Sequence, residues 1–204
     1  MRRKISFVCL IAGLLLLLGA AVLTGCLLYE NHAAGEASAA MVEQLHFPEG
    51  STQAESDLPL SRQEIPDYLL NPHMEMPITC IDGYDCIGMV EIPKLDRRLP
   101  VLSSWSYDLL RVAPCRYEGS AYSGDLIIAA HNYTTHFGSL SNLQIGDRIS
   151  FTDADGHVFS YHVTEVGTIN PDDTELLREG NWDLTLFTCT FGNSYRVVVR
   201  CRQV

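Results

Sequence analysis

Leu184-Thr185-Leu186-Phe187-Thr188-Cys189-Thr190, then Phe191-Gly192-Asn193-Ser194, then Tyr195-Arg196-Val197-Val198-Val199-Arg200-Cys201, reads as two strands joined by a tight loop. The first run alternates and is apolar. The second is rich in β-branched valine, which suits a pleated, half-buried surface. The hairpin carries chemistry as well as fold, because Cys189 ends one strand and Arg196 begins the next. The thiolate is the reactive form of cysteine, and a nearby cation favours it. A structural cysteine suits an apolar strand equally well, so the rest of the chain has to separate the two readings.

Upstream of the hairpin the pattern is one of short strands and turns. Ile87 to Ile92 reads as a strand stopped by Pro93, and Arg98 to Leu102 as an edge-like strand because of Pro100. Ser106 to Val112 is expected to form a short helix and Ser139 to Leu143 a helical turn. Asp125 to Ala130 is a continuous apolar run of the kind buried on both faces. Arg148 to Thr152 and His157 to Val166 read as a hairpin around the turn Asp153 to Gly156. Seven or eight such strands with few helices predict an all-β domain, a small barrel or sandwich, over residues 78–204.

The N-terminal part differs. Residues 5–28 are apolar apart from Ser6 and Thr24, and Arg2, Arg3 and Lys4 precede them. The block is long enough to cross a bilayer as a helix. The basic tip predicts a cytoplasmic residues 1–4 and everything after Leu28 outside. A signal anchor is one reading. A second is a signal peptide that is removed, and a third is a lipobox at Leu23-Thr24-Gly25-Cys26, with Cys26 lipidated. Residues 29–77 are rich in Glu, Asp, Ser, Ala and Pro, with a single Arg and no Lys. That composition predicts an extracellular stalk or linker, semi-extended, with room for a short helix near Ala37 to Leu45.

The formal net charge of −11 excludes the basic patch that nucleic-acid binding needs. Seven cysteines are present, five of them beyond the apolar block: Cys80, Cys86, Cys115, Cys189 and Cys201. An odd number leaves at least one thiol free or paired between chains, and a Cys80–Cys86 bridge stays open. Neither a Cys-x-x-Cys pair nor the Cys/His spacing typical of zinc occurs.

His131 directly follows the buried run Leu126 to Ala130 and thus sits where a strand emerges, a good place to exchange protons. His136 is its rival in the same loop, while His157 and His162 read as exposed. Arg200 and Arg202 share a face with Arg196 on the strand period of two. Arg196 is preferred because it lies nearest the Cys189 end of the hairpin.

Taken with Ile127-Ile128-Ala129-Ala130-His131, His136-Phe137-Gly138-Ser139-Leu140, Ile145-Gly146-Asp147 and Tyr161-His162-Val163, the hairpin resembles the signature of the sortases. These are membrane-anchored cysteine transpeptidases of Gram-positive bacteria, with Thr-Leu-x-Thr-Cys on one strand and an arginine on the next. The similarity runs from about Ile87 to Arg202, with Ala130 where the family usually has glycine.

The resemblance implies an eight-stranded β-barrel with short helices, preceded by the transmembrane helix and linker. It implies Cys189 as nucleophile, His131 as acid and base, and Arg196 as oxyanion or substrate partner. Thr188, beside the nucleophile, is expected to shape the substrate pocket. The implied substrates are surface proteins or pilins bearing a Leu-Pro-x-Thr-Gly-like sorting signal. The implied acceptor is an amine from a peptidoglycan precursor or a pilin lysine. The chemistry that the resemblance implies needs no metal or organic cofactor. Two other readings remain at this stage: a hydrolytic cysteine peptidase using the same pair, and a non-catalytic surface lipoprotein with a binding barrel.

Overall fold

The computed structural model describes residues 2–45, 66–190, 192 and 194–204, without the side chains of residues 2–9. Among the described residues nine strands form one sheet: β1 (Thr79–Ile81), β2 (Tyr84–Ile92), β3 (Arg97–Leu102), β4 (Cys115–Glu118), β5 (Leu126–Ala129), β6 (Arg148–Asp153), β7 (Val158–Ile169), β8 (Leu184–Cys189) and β9 (Arg196–Gln203). The hydrogen-bonded order is β1-β2-β3-β4-β5-β8-β9-β7-β6, and β6 pairs back onto β2. That last pairing closes β2 to β9 into an eight-stranded barrel, with β1 as a hairpin strand outside the ring. The barrel reading therefore holds and the sandwich falls. Closure demands a close approach at Gly88, where a Cβ would fall 2.0 Å from the Thr152 carbonyl oxygen.

Alternation along the strands fills the interior with Ile87, Val90, Phe151, Tyr161, Leu184 and Leu186. The same alternation turns Phe187 outward, onto a second apolar cluster with Ile127, Ala129, Leu177 and Val198. β5 and β8 pair in parallel, Ala129 opposite Phe187, so both strands end at the same rim of the barrel.

Three expectations change. β3 is not an edge: β2 pairs along it, and β4 meets it at Leu102. Pro100 is accommodated because β4 does not extend alongside it, and a helix packs on this strand instead. His157 and His162 are half-buried rather than exposed. His157 Nδ1 lies 2.9 Å from the buried Asp153 carboxylate, which also accepts from Tyr122 Oη at 2.6 Å.

The third change concerns the linker. Helix α1 runs from Arg2 to Gln44, so the apolar block and the first part of the linker are one helix. Its apolar portion is long enough to cross a membrane and is exposed along its length. Farther along, Ala34, Ser38 and Met41 are buried against the barrel. Their spacing of four and three residues is one helical face, which averaged composition hides. At the linker's other end, α2 (Asp67–Leu70) carries Tyr68, stacked on Tyr122 with centroids 4.6 Å apart. Met76 is buried in the main core. Residues 46–65, including Pro59 and Arg62, lie outside the described residues.

Candidate active site

The hairpin sets one half of the site. β8 and β9 pair antiparallel with Cys189 opposite Arg196. Arg196 Nη1 stands 3.9 Å from Cys189 Sγ. The guanidinium is held from two other directions. Its Nε donates to the Pro171 carbonyl at 3.1 Å, and its carbon lies 5.6 Å from the Phe187 ring centroid. Phe187 is braced in turn by the edge of Tyr117, at 5.2 Å and 89°. Of the connecting loop, Phe191 and Asn193 lie outside the described residues; Thr190 N–H donates to the Tyr195 carbonyl at 2.8 Å across its base.

The rival arginines are engaged elsewhere. Arg200 Nη1 pairs with Glu165 at 2.7 Å, and its Nη2 donates to the Leu176 carbonyl at 2.7 Å. Arg202 lies over the Trp182 ring at 4.7 Å and donates to the Asn181 carbonyl.

The other half of the site comes from β5. Ala130 N–H donates to the Phe187 carbonyl at 3.1 Å, and Thr188 Oγ1 donates to the Ala130 carbonyl at 2.8 Å. These bonds carry the pairing with β8 one residue past the end of β5, so His131 emerges at the same rim of the barrel as Cys189. His131 Nδ1 lies 2.9 Å from Asn132 Oδ1. That oxygen only accepts, so the neutral ring carries its proton on Nδ1 and leaves the Nε2 lone pair free. Tyr133 stacks on the ring, with centroids 4.1 Å apart and planes 10° off parallel.

The sequence-predicted residues separate into two sets. Cys189, His131 and Arg196 are half-exposed at one rim of the barrel. Thr188 is 3% exposed and faces the interior side of β8, opposite Cys189, with its hydroxyl bound to Ala130. His136 is 0% exposed, with Nε2 3.0 Å from Ser38 Oγ. Burial pushes its pKa down to about 4, against the weaker opposite effect of the Ala34 carbonyl.

Sequence reasoning passed over Asn132, Tyr133 and Phe187. Adjacency to His131 was the available signal for the first two. Nothing local marked Phe187 as the platform beneath Arg196. Among the described residues no three His, Cys, Asp or Glu side chains are grouped to share a metal ion.

A family model described as the Sortase domain matches residues 90–204. The chain belongs to the sortase family. Sortase D of Bacillus subtilis (strain 168) is 28% identical over 107 residues, which are 50% of this chain and 53% of that protein. This chain thus spans about half the length of the curated relative it matches. Sortase C1 from Streptococcus agalactiae has 27% identity and a TM-score of 0.54, covering 70% of this chain and 79% of that one. Sortase C from Clostridium perfringens SM101 has 26% identity and a TM-score of 0.51, covering 68% and 75%. Sortases are cysteine transpeptidases, and Cys189, His131 and Arg196 all lie within the matched residues.

Proposed function

We propose that the chain is a membrane-anchored transpeptidase that works through an acyl-enzyme on Cys189. The observation that carries this reading is the Arg196 guanidinium 3.9 Å from the Cys189 sulfur, at a rim reached also by His131. Cys189 Sγ attacks the carbonyl carbon of the Thr–Gly bond in a Leu-Pro-x-Thr-Gly-like signal. A solved Clostridium perfringens sortase C carries a C-terminal cell wall sorting motif, which supports this substrate class.

As the carbonyl oxygen gains charge, the Arg196 fork donates to it or to the adjacent substrate backbone. The Cys189 thiol gives its proton to the free Nε2 of His131 as the sulfur attacks; the C–N bond then breaks, and His131 passes that proton to the departing glycine amine. An incoming amine then attacks the thioester and passes a proton to His131. The C–S bond breaks, and the new amide leaves the enzyme. The acceptor is an amine of a peptidoglycan precursor or a pilin lysine. A structural neighbour named as Sortase C1 of a GBS pilus island supports the pilin arm. In this reading Thr188 does not touch substrate; it holds the end of β5 from beneath. The apolar part of α1 spans the membrane and the barrel lies outside.

The test is cleavage of a sorting-signal peptide by the full chain, with and without a panel of amines. Cleavage that yields the amide-joined product, and is lost in Cys189→Ala, supports the reading. Release of the free acid at the same rate whatever amine is present would instead make the protein a hydrolase. Full activity in Cys189→Ala would sink both.

A further inference from the structure

Beyond Cys189 and Arg196, α1 and the histidine loop are bound together by a dense set of contacts. α1 reaches the loop at four residues spread over about two turns: Glu30, Asn31, Gly35 and Ser38. Glu30 Oε2 accepts from Tyr133 Oη at 3.5 Å. Asn31 Nδ2 donates to Thr134 Oγ1 at 3.0 Å, and the Asn31 carbonyl accepts from Thr135 Oγ1 at 3.0 Å. One turn on, Gly35 leaves room for Thr135, since a Cβ there would sit 2.8 Å from its methyl carbon.

Ser38 closes the set. Its hydroxyl donates to the Val112 carbonyl at 2.9 Å, so its oxygen is left to accept from His136 Nε2 at 3.0 Å. Both side chains are buried, at 1% and 0% exposure. A buried hydroxyl and a buried ring nitrogen cost free energy without partners, so the Ser38–His136 bond favours this docked position of the helix, while His136 Nδ1 stays buried without a hydrogen-bond partner among the described residues. The contacts then converge on His131. Tyr133, held by Glu30, is the ring stacked on His131, and Phe137 N–H donates to the His131 carbonyl at 3.3 Å.

We propose that α1 is a working part of the active site, in which Ser38 and Tyr133 are positioning residues that hold the His131 ring at the angle proton transfer requires. The proposal rests on the reading of His131 as the acid and base of the reaction. β5 ends at Ala129 and its last bonds to β8 are made by Ala130, so the loop that follows is held from outside the sheet. Among the described residues, the Asn132–His136 segment without α1 keeps its own turn bonds, the contacts of Asn132 and Tyr133 with His131, and the Arg97 guanidinium, which donates to the Thr134 carbonyl at 2.9 Å. A helix continuous with the apolar segment thus supplies the rigidity that the sheet does not, and the segment that anchors the protein also sets the histidine.

The experiment uses the full chain in detergent or bilayers, with Ser38→Ala, Ser38→Thr, Tyr133→Leu and, as a control, His131→Ala. Ser38→Ala and Tyr133→Leu are expected to lower kcat about tenfold with KM within about twofold, because orientation is lost and binding is not. Each is also expected to displace the limb of the pH–rate profile that His131→Ala removes. Ser38→Thr, which keeps the hydroxyl, is expected to recover most of the rate. Wild-type kcat and an unmoved pH profile in both Ser38→Ala and Tyr133→Leu, with only a lower melting temperature, would overturn the proposal. Tyr133→Leu leaves the Ser38–His136 pair intact, so it decides the matter should Ser38→Ala fail to fold. A fully active His131→Ala would remove the underlying reading instead, whatever the other variants do.

Discussion

The two halves of the site are built in opposite ways. Cys189 and Arg196 face each other as register partners of one hairpin, seven residues apart in the chain. His131 stands on a loop past the end of β5, and the groups that hold that loop come from a helix roughly a hundred residues earlier. A sheet-held pair is fixed by ladder hydrogen bonds and tolerates loss of distant segments. A loop-held residue is only as well placed as its neighbours, and here those neighbours belong to α1, the helix that begins as the long apolar segment. On the proposed reading, the catalytic unit takes in the docked part of α1 as well as the barrel.

The largest effect that sharpens this contrast concerns the sheet-held half. Arg196→Lys is expected to cost about a hundredfold in kcat/KM, because a point charge replaces the planar fork that both contacts sulfur and lies over Phe187. Arg200→Lys, which keeps a charge beside Glu165, is expected to stay within about threefold. Steady-state peptide cleavage measures both. Should the two variants exchange places, the assignment of the arginine is wrong.

Next comes the loop-held half. Residues 30–204 retain the docked part of α1, whereas residues 78–204 lack it together with Tyr68 and Met76. The longer fragment is expected to match the full chain, and the shorter to run about tenfold slower. Equal rates for the two fragments would break the comparison.

The smallest effect is on stability. His136 is held down to about 4 by burial, below an ordinary histidine value of about 6.5. Between those values the unfolded chain binds a proton that the folded chain does not. Stability is therefore fully present above about pH 6.5, falls as the pH drops through that window, and levels off below about 4. The loss approaches about 3 kcal/mol at about 1.4 kcal/mol per unit. His131 and Arg97 add to it in the same direction, since both disfavour a second positive charge there. Urea midpoints from pH 4 to 7 measure the slope, and His136→Gln is expected to remove its share. An identical slope in that variant would mean that His136 does not carry it.

The strands and the hairpin were legible because strand period, turn residues and a short loop are local signals, which left barrel and sandwich both open; the closed barrel was implied only by the family resemblance. Leu184 to Cys189 alternates, and the register that puts Arg196 across from Cys189 follows from the loop length alone. Closure through β2 and β6, and the parallel pairing of β5 with β8, are long-range and left no mark that composition reveals. The docking of α1 was hidden for a different reason. Its buried face is Ala34, Ser38 and Met41, small or flexible residues with no strong apolar stripe, inside a segment whose average reads as a solvated spacer. Thr188 shows the limit of adjacency as a signal. Next to Cys189 in sequence, it faces the other side of the strand, as period two requires.

The central claim is a covalent one: Cys189 carries the acyl group. The full chain is incubated with a sorting-signal peptide and no added amine, quenched in acid, and its peptides are weighed. The account predicts an adduct of the peptide's fragment up to its threonine, confined to the peptide containing Cys189 and discharged by hydroxylamine. An unmodified Cys189 under turnover, or the same adduct on another residue in Cys189→Ala, would contradict it.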